Sequence, residues 1–353
     1  MKENSVRLIG IGRLASAAAL LVGASLIPAA APAGAGAATC QEQNYPVTVA
    51  GTQQNINGTL CVPDGATTIQ ILVPGGTYNA AVWEYQPQGA ASYREAMNNA
   101  GFATLNMDRL GSGKSSHPFN TLVTGPTGSA AIHQVITKVR ERFAKVILVG
   151  HSLGSGLVRI EAATYHDVDG VVSTGLAHMF NAAGLVPVFT SVGPVTPLDP
   201  DPLLRGRGLD LGYVTTLPGR RNIAFHLPAQ DPPGAIEYDE SHRDVAAAIE
   251  AADIVRELVP LTSVSGRITA PVLLAMGEKD GSMCGGPVIN GIKLIGADCS
   301  SAAALKASEQ SYFGQASSFD TFIVPEAGHS FVFHPTAPQF YAKMISWAAA
   351  HGL

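Results

Sequence analysis

No surplus of positive charge marks this chain. It carries 22 Lys+Arg against 27 Asp+Glu, a formal net charge of −5. Setting aside residues 1–38, which hold Lys2, Arg7, Arg13 and Glu3, leaves 19 basic and 26 acidic side chains, a charge near −7. That sign keeps a protein dissolved and repels a phosphate backbone, so no nucleic-acid partner is expected. Long apolar runs are also lacking. Leu14 to Ile27 is the longest, and its 14 residues fall short of the roughly 20 that span a bilayer, so no stable membrane insertion is expected. Cysteine is scarce, four in 353 residues, with no C-x-x-C and no neighbouring histidine pair. A cysteine-held metal is therefore not expected.

The first residues read as a secretory signal peptide over 1–38. Lys2, Arg7 and Arg13 supply a positive start, Leu14 to Ile27 the short apolar run, and Ala29 to Ala38 a small-residue stretch with cleavage points such as after Ala35 or Ala38. Cys40 follows closely, but Ala38 and Thr39 do not resemble the leucine-led lipobox of bacterial lipoproteins, so a lipid anchor is not expected. Export to an oxidising compartment favours cystine. Four cysteines allow three pairings; the local pairs Cys40–Cys61 and Cys284–Cys299 each bracket a loop-like stretch, and each bridge is worth about 3 kcal/mol.

Short apolar runs alternate with helical patterns along the remaining chain. Strands are predicted at Val47–Val49, Ile56–Val62, Ile69–Val73, Phe102–Met107, Val146–Val149 and Val171–Thr174. Helices are predicted at Tyr93–Ala100, Ser129–Phe143 and Leu157–Thr164. This β-α-β alternation describes a parallel sheet covered on both faces. From Met179 the text turns Pro/Gly-rich, and only Ser241–Leu258 has helical character, with Ser241 and Asp244 spaced like a capping box. Sheet patterning resumes with Val272–Met276 and Thr321–Val324, and a last helix is predicted over Phe340–Ala350. Residues 39–178 and 267–353 are thus read as a core and 179–266 as an inserted cap.

One pentapeptide carries the chemistry. Gly150-His151-Ser152-Leu153-Gly154 follows directly on the buried run Val146–Val149, and G-x-S-x-G between a strand and a helix describes a turn that lifts a serine hydroxyl clear of a sheet. A serine hydroxyl is a poor nucleophile near neutrality; it needs a base, and the base needs a carboxylate to fix its tautomer. The chain supplies both in the order acid, then histidine. Val272–Met276 runs into Gly277-Glu278-Lys279-Asp280, and Thr321–Val324 into Pro325-Glu326-Ala327-Gly328-His329, so both groups fall just beyond the carboxyl ends of strands, where open α/β sheets build their sites. Asp280 is the expected acid and Glu278 its rival. His334 competes with His329 but lies further on in a Phe-rich segment. The residues after the sixth strand, Gly175 to His178, include no carboxylate. Glu237, Asp239, Glu240, His242 and Asp244 cluster like metal ligands but are read as a solvated decoration of the insertion's helix; neither metal nor cofactor is called for.

These landmarks resemble those of the α/β-hydrolase fold superfamily over nearly all of residues 39–353. Besides the serine turn, the Glu278/Asp280 strand end and Ala327-Gly328-His329-Ser330, the stretch Asp108-Arg109-Leu110-Gly111-Ser112-Gly113-Lys114-Ser115 resembles the D-x-x-G-x-G-x-S turn of family members. A phosphate loop would instead need glycine where Asp108 stands. The resemblance implies an α/β-hydrolase fold: a mostly parallel central sheet, helices on both faces and the cap. It implies an oxyanion hole made by the backbone N–H of Leu153 and of Gly76 or Thr77, although Pro74 replaces the histidine common before that glycine. Tyr78, Trp83, Phe180 and Phe189 are candidate pocket residues.

The expectation is a secreted carboxylic ester hydrolase, with Ser152 as nucleophile, His329 as base and Asp280 as orienter. Its partner would be a small lipophilic ester or lactone, as the apolar cap residues Leu185, Val186, Val188, Leu203 and Leu204 suggest. Ser152 excludes epoxide hydrolases and dehalogenases of this scaffold, which need aspartate there. A cofactor-free perhydrolase or haloperoxidase, a thioesterase, a peptidase and a catalytically silent binding protein remain as alternatives.

Overall fold

The computed structural model describes residues 37–178, 180–196, 201–227, 229–285, 288–289, 292–293 and 296–353. Residues 1–36 of the expected leader lie outside the described residues, as does Met179, where the cap was expected to begin.

The chain first forms a hairpin, β1 (Thr39–Val49) and β2 (Thr52–Val62), then β3 (Thr68–Val73), α1 (Tyr93–Asn99), β4 (Ala103–Met107), α2 (Gly125–Val139), β5 (Lys145–His151), α3 (Leu153–Tyr165) and β6 (Gly170–Thr174). Next come α4 (Ala182–Thr190), β7 (Val192–Pro194), β8 (Tyr213–Thr216), α5 (Arg221–Ala224), α6 (Ala235–Ser241), β9 (Val245–Ala247) and α7 (Ala248–Glu257). The chain closes with β10 (Val272–Gly277), a short hairpin β11 (Val288–Ile289) and β12 (Ile292–Lys293), α8 (Ala302–Glu309), β13 (Phe319–Val324) and α9 (Ala337–Ala350). Eight strands form one sheet in the order β1-β2-β4-β3-β5-β6-β10-β13; β1 and β2 run antiparallel to their neighbours, and all pairings from β4 onward are parallel. The mostly parallel sheet expected from the alternation is the one observed.

Successive side chains of a strand point to opposite faces, and two cores result. Ile69, Ile71, Val73, Val146, Leu148, Leu274 and Met276 pack under α2 and α3. Leu72, Ile147, Val149, Leu273 and Ala275 pack on the other face against Tyr93, Met97, Phe340, Met344 and Trp347 of α1 and α9. Each fully buried aliphatic side chain contributes about 1.5–3 kcal/mol. This two-sided burial is why these strands read as unbroken apolar runs. The helix α2 starts four residues before its expected first residue, because Thr124 caps it through Thr127 and Pro126 sits in the first turn, where its missing N–H costs nothing.

The segment between β6 and β10 departs from the expected single helix over Ser241–Leu258. Ser241 ends α6, and Val245–Ala247 are fully buried as β9, paired with Tyr213–Thr215 of β8. Only then does α7 begin. Asp244 caps nothing as Ser241's partner; it accepts from Gly113 N and pairs with Arg207. Ladder pairing and burial outweigh the helix propensity of the alanines here.

The cysteines are bonded as Cys40–Cys61, facing each other across β1 and β2, and Cys284–Cys299, behind β10. Among the described residues no helix is long and apolar enough to cross a membrane.

Candidate active site

The chain turns from β5 into α3 at Ser152 within a single residue. Ser152 has φ +51 and ψ −120, a conformation that costs a non-glycine residue roughly 1–3 kcal/mol. It is pinned by its neighbours: Ser152 N donates to Thr174 O at 2.8 Å, and Ser155 Oγ contacts Gly150 O and Thr174 O, both at 2.8 Å. The flanking glycines are sterically required. A Cβ on Gly150 would lie 2.6 Å from Gly154 O, and one on Gly154 would lie 2.4 Å from Val73 O.

Ser152, His329 and Asp280 meet at the carboxyl edge of the sheet. Ser152 Oγ is 3.0 Å from His329 Nε2, and His329 Nδ1 is 2.8 Å from Asp280 Oδ2. The other oxygen, Asp280 Oδ1, accepts from Ser282 Oγ at 2.6 Å, Ser282 N at 3.0 Å and Met283 N at 3.3 Å. Complete burial pushes the Asp280 carboxyl up, but the His329 charge and hydrogen bond, joined by Ser282, outweigh it and hold the group below the usual carboxylate range. Asp280 is therefore ionised near neutrality. Glu278 is exposed and accepts from Glu326 N, away from the imidazole. His334 is buried against Thr336. His151 packs 5.1 Å from the His329 ring, and burial, then the neighbouring His329, pushes it down to about 3, so it stays neutral.

Across from Ser152 runs the loop after β3. A Cβ on Gly75 would sit 3.2 Å from Ser152 Cβ, and one on Gly76 3.1 Å from Leu153 Cδ1, so side chains here would crowd the serine. Among the described residues the backbone N–H groups of Gly76, Thr77 and Leu153 donate in none of the loop and turn backbone hydrogen bonds. Thr77 holds a left-handed φ of +61 because its carbonyl accepts from Arg221 Nη1 and Asp244 N, both at 2.9 Å.

That arginine belongs to a buried network the sequence reading did not find. Arg221 lies 4.0 Å over the Tyr78 ring and pairs with Asp239 at 2.8 Å. Asp239 also meets His226 Nε2 at 2.8 Å, and His226 Nδ1 meets Asp231 at 2.7 Å. Tyr78 Oη contacts Ser330 Oγ, next to His329. The network thus ties the segment between β6 and β10 to both the Gly76–Thr77 loop and the histidine loop. Burial raises Asp239, yet Arg221 and His226 hold it below the ordinary range. Asp239 and Asp244 are buried members of ion pairs, not the solvated decoration expected; their partners lie too far along the chain for local spacing to reveal.

A cavity of about 510 Å³ opens from Ser152. Apart from Ser152 and Thr77 its lining side chains are apolar, including Leu153, Leu185, Val214, Phe225, Ile254 and Met283, and none is charged. Of the candidate pocket residues, Phe189 lines this cavity, and Tyr78, Trp83 and Phe180 lie outside its lining. Tyr78 is occupied by Arg221, Trp83 is fully buried against Tyr93, and Phe180 is partly buried against the hydrophobic core. The Asp108–Ser115 turn folds onto its own acid: Asp108 accepts from Ala80 N and Lys114 N, each at 2.8 Å, and Arg109 forms a buried pair with Glu250 of α7.

Residues 70–343 match the model of a family described as the alpha/beta hydrolase family. No curated protein matches the chain. Among solved structures it is similar to E-2-(acetamidomethylene)succinate hydrolase, with TM-score 0.53 and 21% identity over 87% of this chain and 98% of that one. It is also similar to a thermophilic esterase from Thermogutta terrifontis, with TM-score 0.57 and 15% identity over 88% and 99%. At such identities the likeness concerns the fold.

Proposed function

Because the chain belongs to the alpha/beta hydrolase family, and Ser152, His329 and Asp280 stand in hydrogen-bond series, we propose that it is a secreted serine hydrolase of lipophilic carboxylic esters or lactones. The series Ser152 Oγ–His329 Nε2 at 3.0 Å and His329 Nδ1–Asp280 Oδ2 at 2.8 Å is the observation that carries this reading.

The steps follow from the geometry. Ser152 Oγ attacks the carbonyl carbon as His329 Nε2 takes its proton, and Asp280 stabilises the imidazolium. The negative oxygen of the tetrahedral intermediate is held by Leu153 N–H and by the N–H of Gly76 or Thr77. His329 returns the proton to the departing alcohol, which leaves an acyl group on Ser152. Water then enters and attacks the acyl carbon as it gives a proton to His329, and His329 passes that proton to Ser152 Oγ as the C–O bond to the serine breaks and the acid leaves. In a lactone the alcohol stays tethered to the acyl chain.

An uncharged cavity favours an apolar acyl or ring moiety, since a charged group there would be desolvated without a partner. The two disulfides suit an oxidising compartment. The experiment is a series of esters and lactones graded by chain length and ring size, with thioester, amide and peroxide-dependent halogenation arms. Mass detection of the acyl group on Ser152 accompanies it. Turnover should favour long or bulky apolar acyl groups and vanish in Ser152→Ala; hydrolysis retained by that variant would overturn the reading.

A further inference from the structure

A polar cluster lies where α2 meets the later turns of α3, away from Ser152. Glu161 is fully buried there, and neither of its carboxylate oxygens meets a hydrogen-bond donor among the described residues. A buried carboxylate is normally paired, hydrogen-bonded or metal-bound. The groups it faces are themselves ligand types. His133 Nδ1 lies 3.7 Å from Glu161 Oε1 and 2.8 Å from Asp167 Oδ2, and one donor atom from each of the three residues lies within 4.8 Å of the others. The His133 and Asp167 side chains are 32% and 26% exposed, so the cluster is closed below and open to solvent above. Tyr165 stacks on His133 with ring centroids 3.8 Å apart and an interplanar angle of 6°, which fixes the imidazole plane. Arg140 stands beside the cluster, but its guanidinium is engaged by the Asp167 carbonyl and the Asp169 carboxylate.

We propose that His133, Glu161 and Asp167 form a binding site for a divalent transition-metal ion, with Zn²⁺ the best match. One imidazole nitrogen and two carboxylates suit Zn²⁺, which accepts mixed N/O sets at four-coordination and completes its shell with water. Ca²⁺ takes six to eight oxygens, and Mg²⁺ demands near-octahedral oxygen geometry, so both fit a three-residue set containing histidine less well. On binding, the Nδ1 hydrogen moves to Nε2, which frees the Nδ1 lone pair for the ion. The site is structural: Glu161 stands in α3 nine residues beyond Ser152, so about 13 Å of helix separates it from the serine turn. Such an ion would clasp the end of the helix whose beginning carries Leu153.

The test uses tag-free full-length protein, stripped with chelator, returned to chelator-free buffer and titrated calorimetrically with ZnCl₂, MnCl₂ and CaCl₂ separately. One Zn²⁺ per chain is expected, with Mn²⁺ weaker and Ca²⁺ weakest, and Zn²⁺ should raise the melting temperature. His133→Ala and Asp167→Asn, both at partly exposed positions, should each weaken Zn²⁺ at least as much as the roughly 10–100-fold lost when an outer partner of a metal site is removed. Hydrolysis by His133→Ala should remain at the wild-type level. No Zn²⁺ uptake, or uptake unchanged in both variants, would overturn the proposal and leave a proton shared between Glu161 and Asp167 as the occupant.

Discussion

Replacing Asp280 by asparagine tests how the imidazole is oriented. Three donors converge on Asp280 Oδ1: Ser282 Oγ, Ser282 N and Met283 N. The amide of Asp280→Asn must therefore turn its oxygen to that side and its NH₂ to His329 Nδ1. The ring nitrogen, which donates to Oδ2 at 2.8 Å, would have to accept instead. The hydrogen then sits on Nε2, 3.0 Å from Ser152 Oγ, and the base can no longer take the serine proton. Loss of the correct tautomer typically costs about 10⁴ in kcat, or about 5 kcal/mol of transition-state stabilisation. The substitution is isosteric, so the fold should persist by circular dichroism. The assay is kcat and kcat/KM on a p-nitrophenyl ester, with Glu278→Gln measured alongside and expected to stay at the wild-type rate. Asp280→Asn within tenfold of wild type, or a loss of equal size in Glu278→Gln, would refute the orientation argument.

Further outcomes follow from the surroundings of the site. His226 is fully buried; burial pushes it down, but its hydrogen bonds to Asp231 and Asp239 prevail and hold it up at about 8. Its folded pKa exceeds the free value of about 6.5, so its contribution of roughly 2 kcal/mol is complete below pH 6.5 and fades as pH rises through 8. Melting temperature should fall over that window in the wild type and flatten in His226→Gln; parallel profiles would contradict the pairing. Ala252 lines the cavity, so Ala252→Phe should abolish hydrolysis of long acyl esters while sparing acetate, as a chain-length series would reveal. Cys284 and Cys299 close 15 residues behind Asp280 and Met283. The double Cys→Ala variant should lose about 3 kcal/mol by denaturant unfolding, together with activity at raised temperature.

The candidate site was more legible in the sequence than its surroundings, and the reasons are physical. The central strands are buried on both faces, so they appear as apolar runs whatever their neighbours do. Gly150 and Gly154 are demanded by backbone contacts within one turn, which makes the serine turn a local signal. Asp280 and His329 follow strand ends at fixed offsets. The segment between β6 and β10 obeys no such local rule. Val245–Ala247 carry helix-forming alanines but are claimed by the distant strand β8. Arg221, His226 and Asp239 acquire their meaning only when folding brings them under Tyr78. Tyr78 and Trp83 show why aromatic spacing alone did not distinguish pocket from core: it carries no information about which way a ring points.

The central claim is that Ser152 is made nucleophilic by His329. Incubation of the protein with a fluorophosphonate probe, followed by intact-mass and peptide analysis, tests it most directly. One adduct per chain, mapped to Ser152 and lost in His329→Ala as well as in Ser152→Ala, is the predicted result. Failure of the wild-type chain to react, or labelling that persists at full rate without His329, would contradict it.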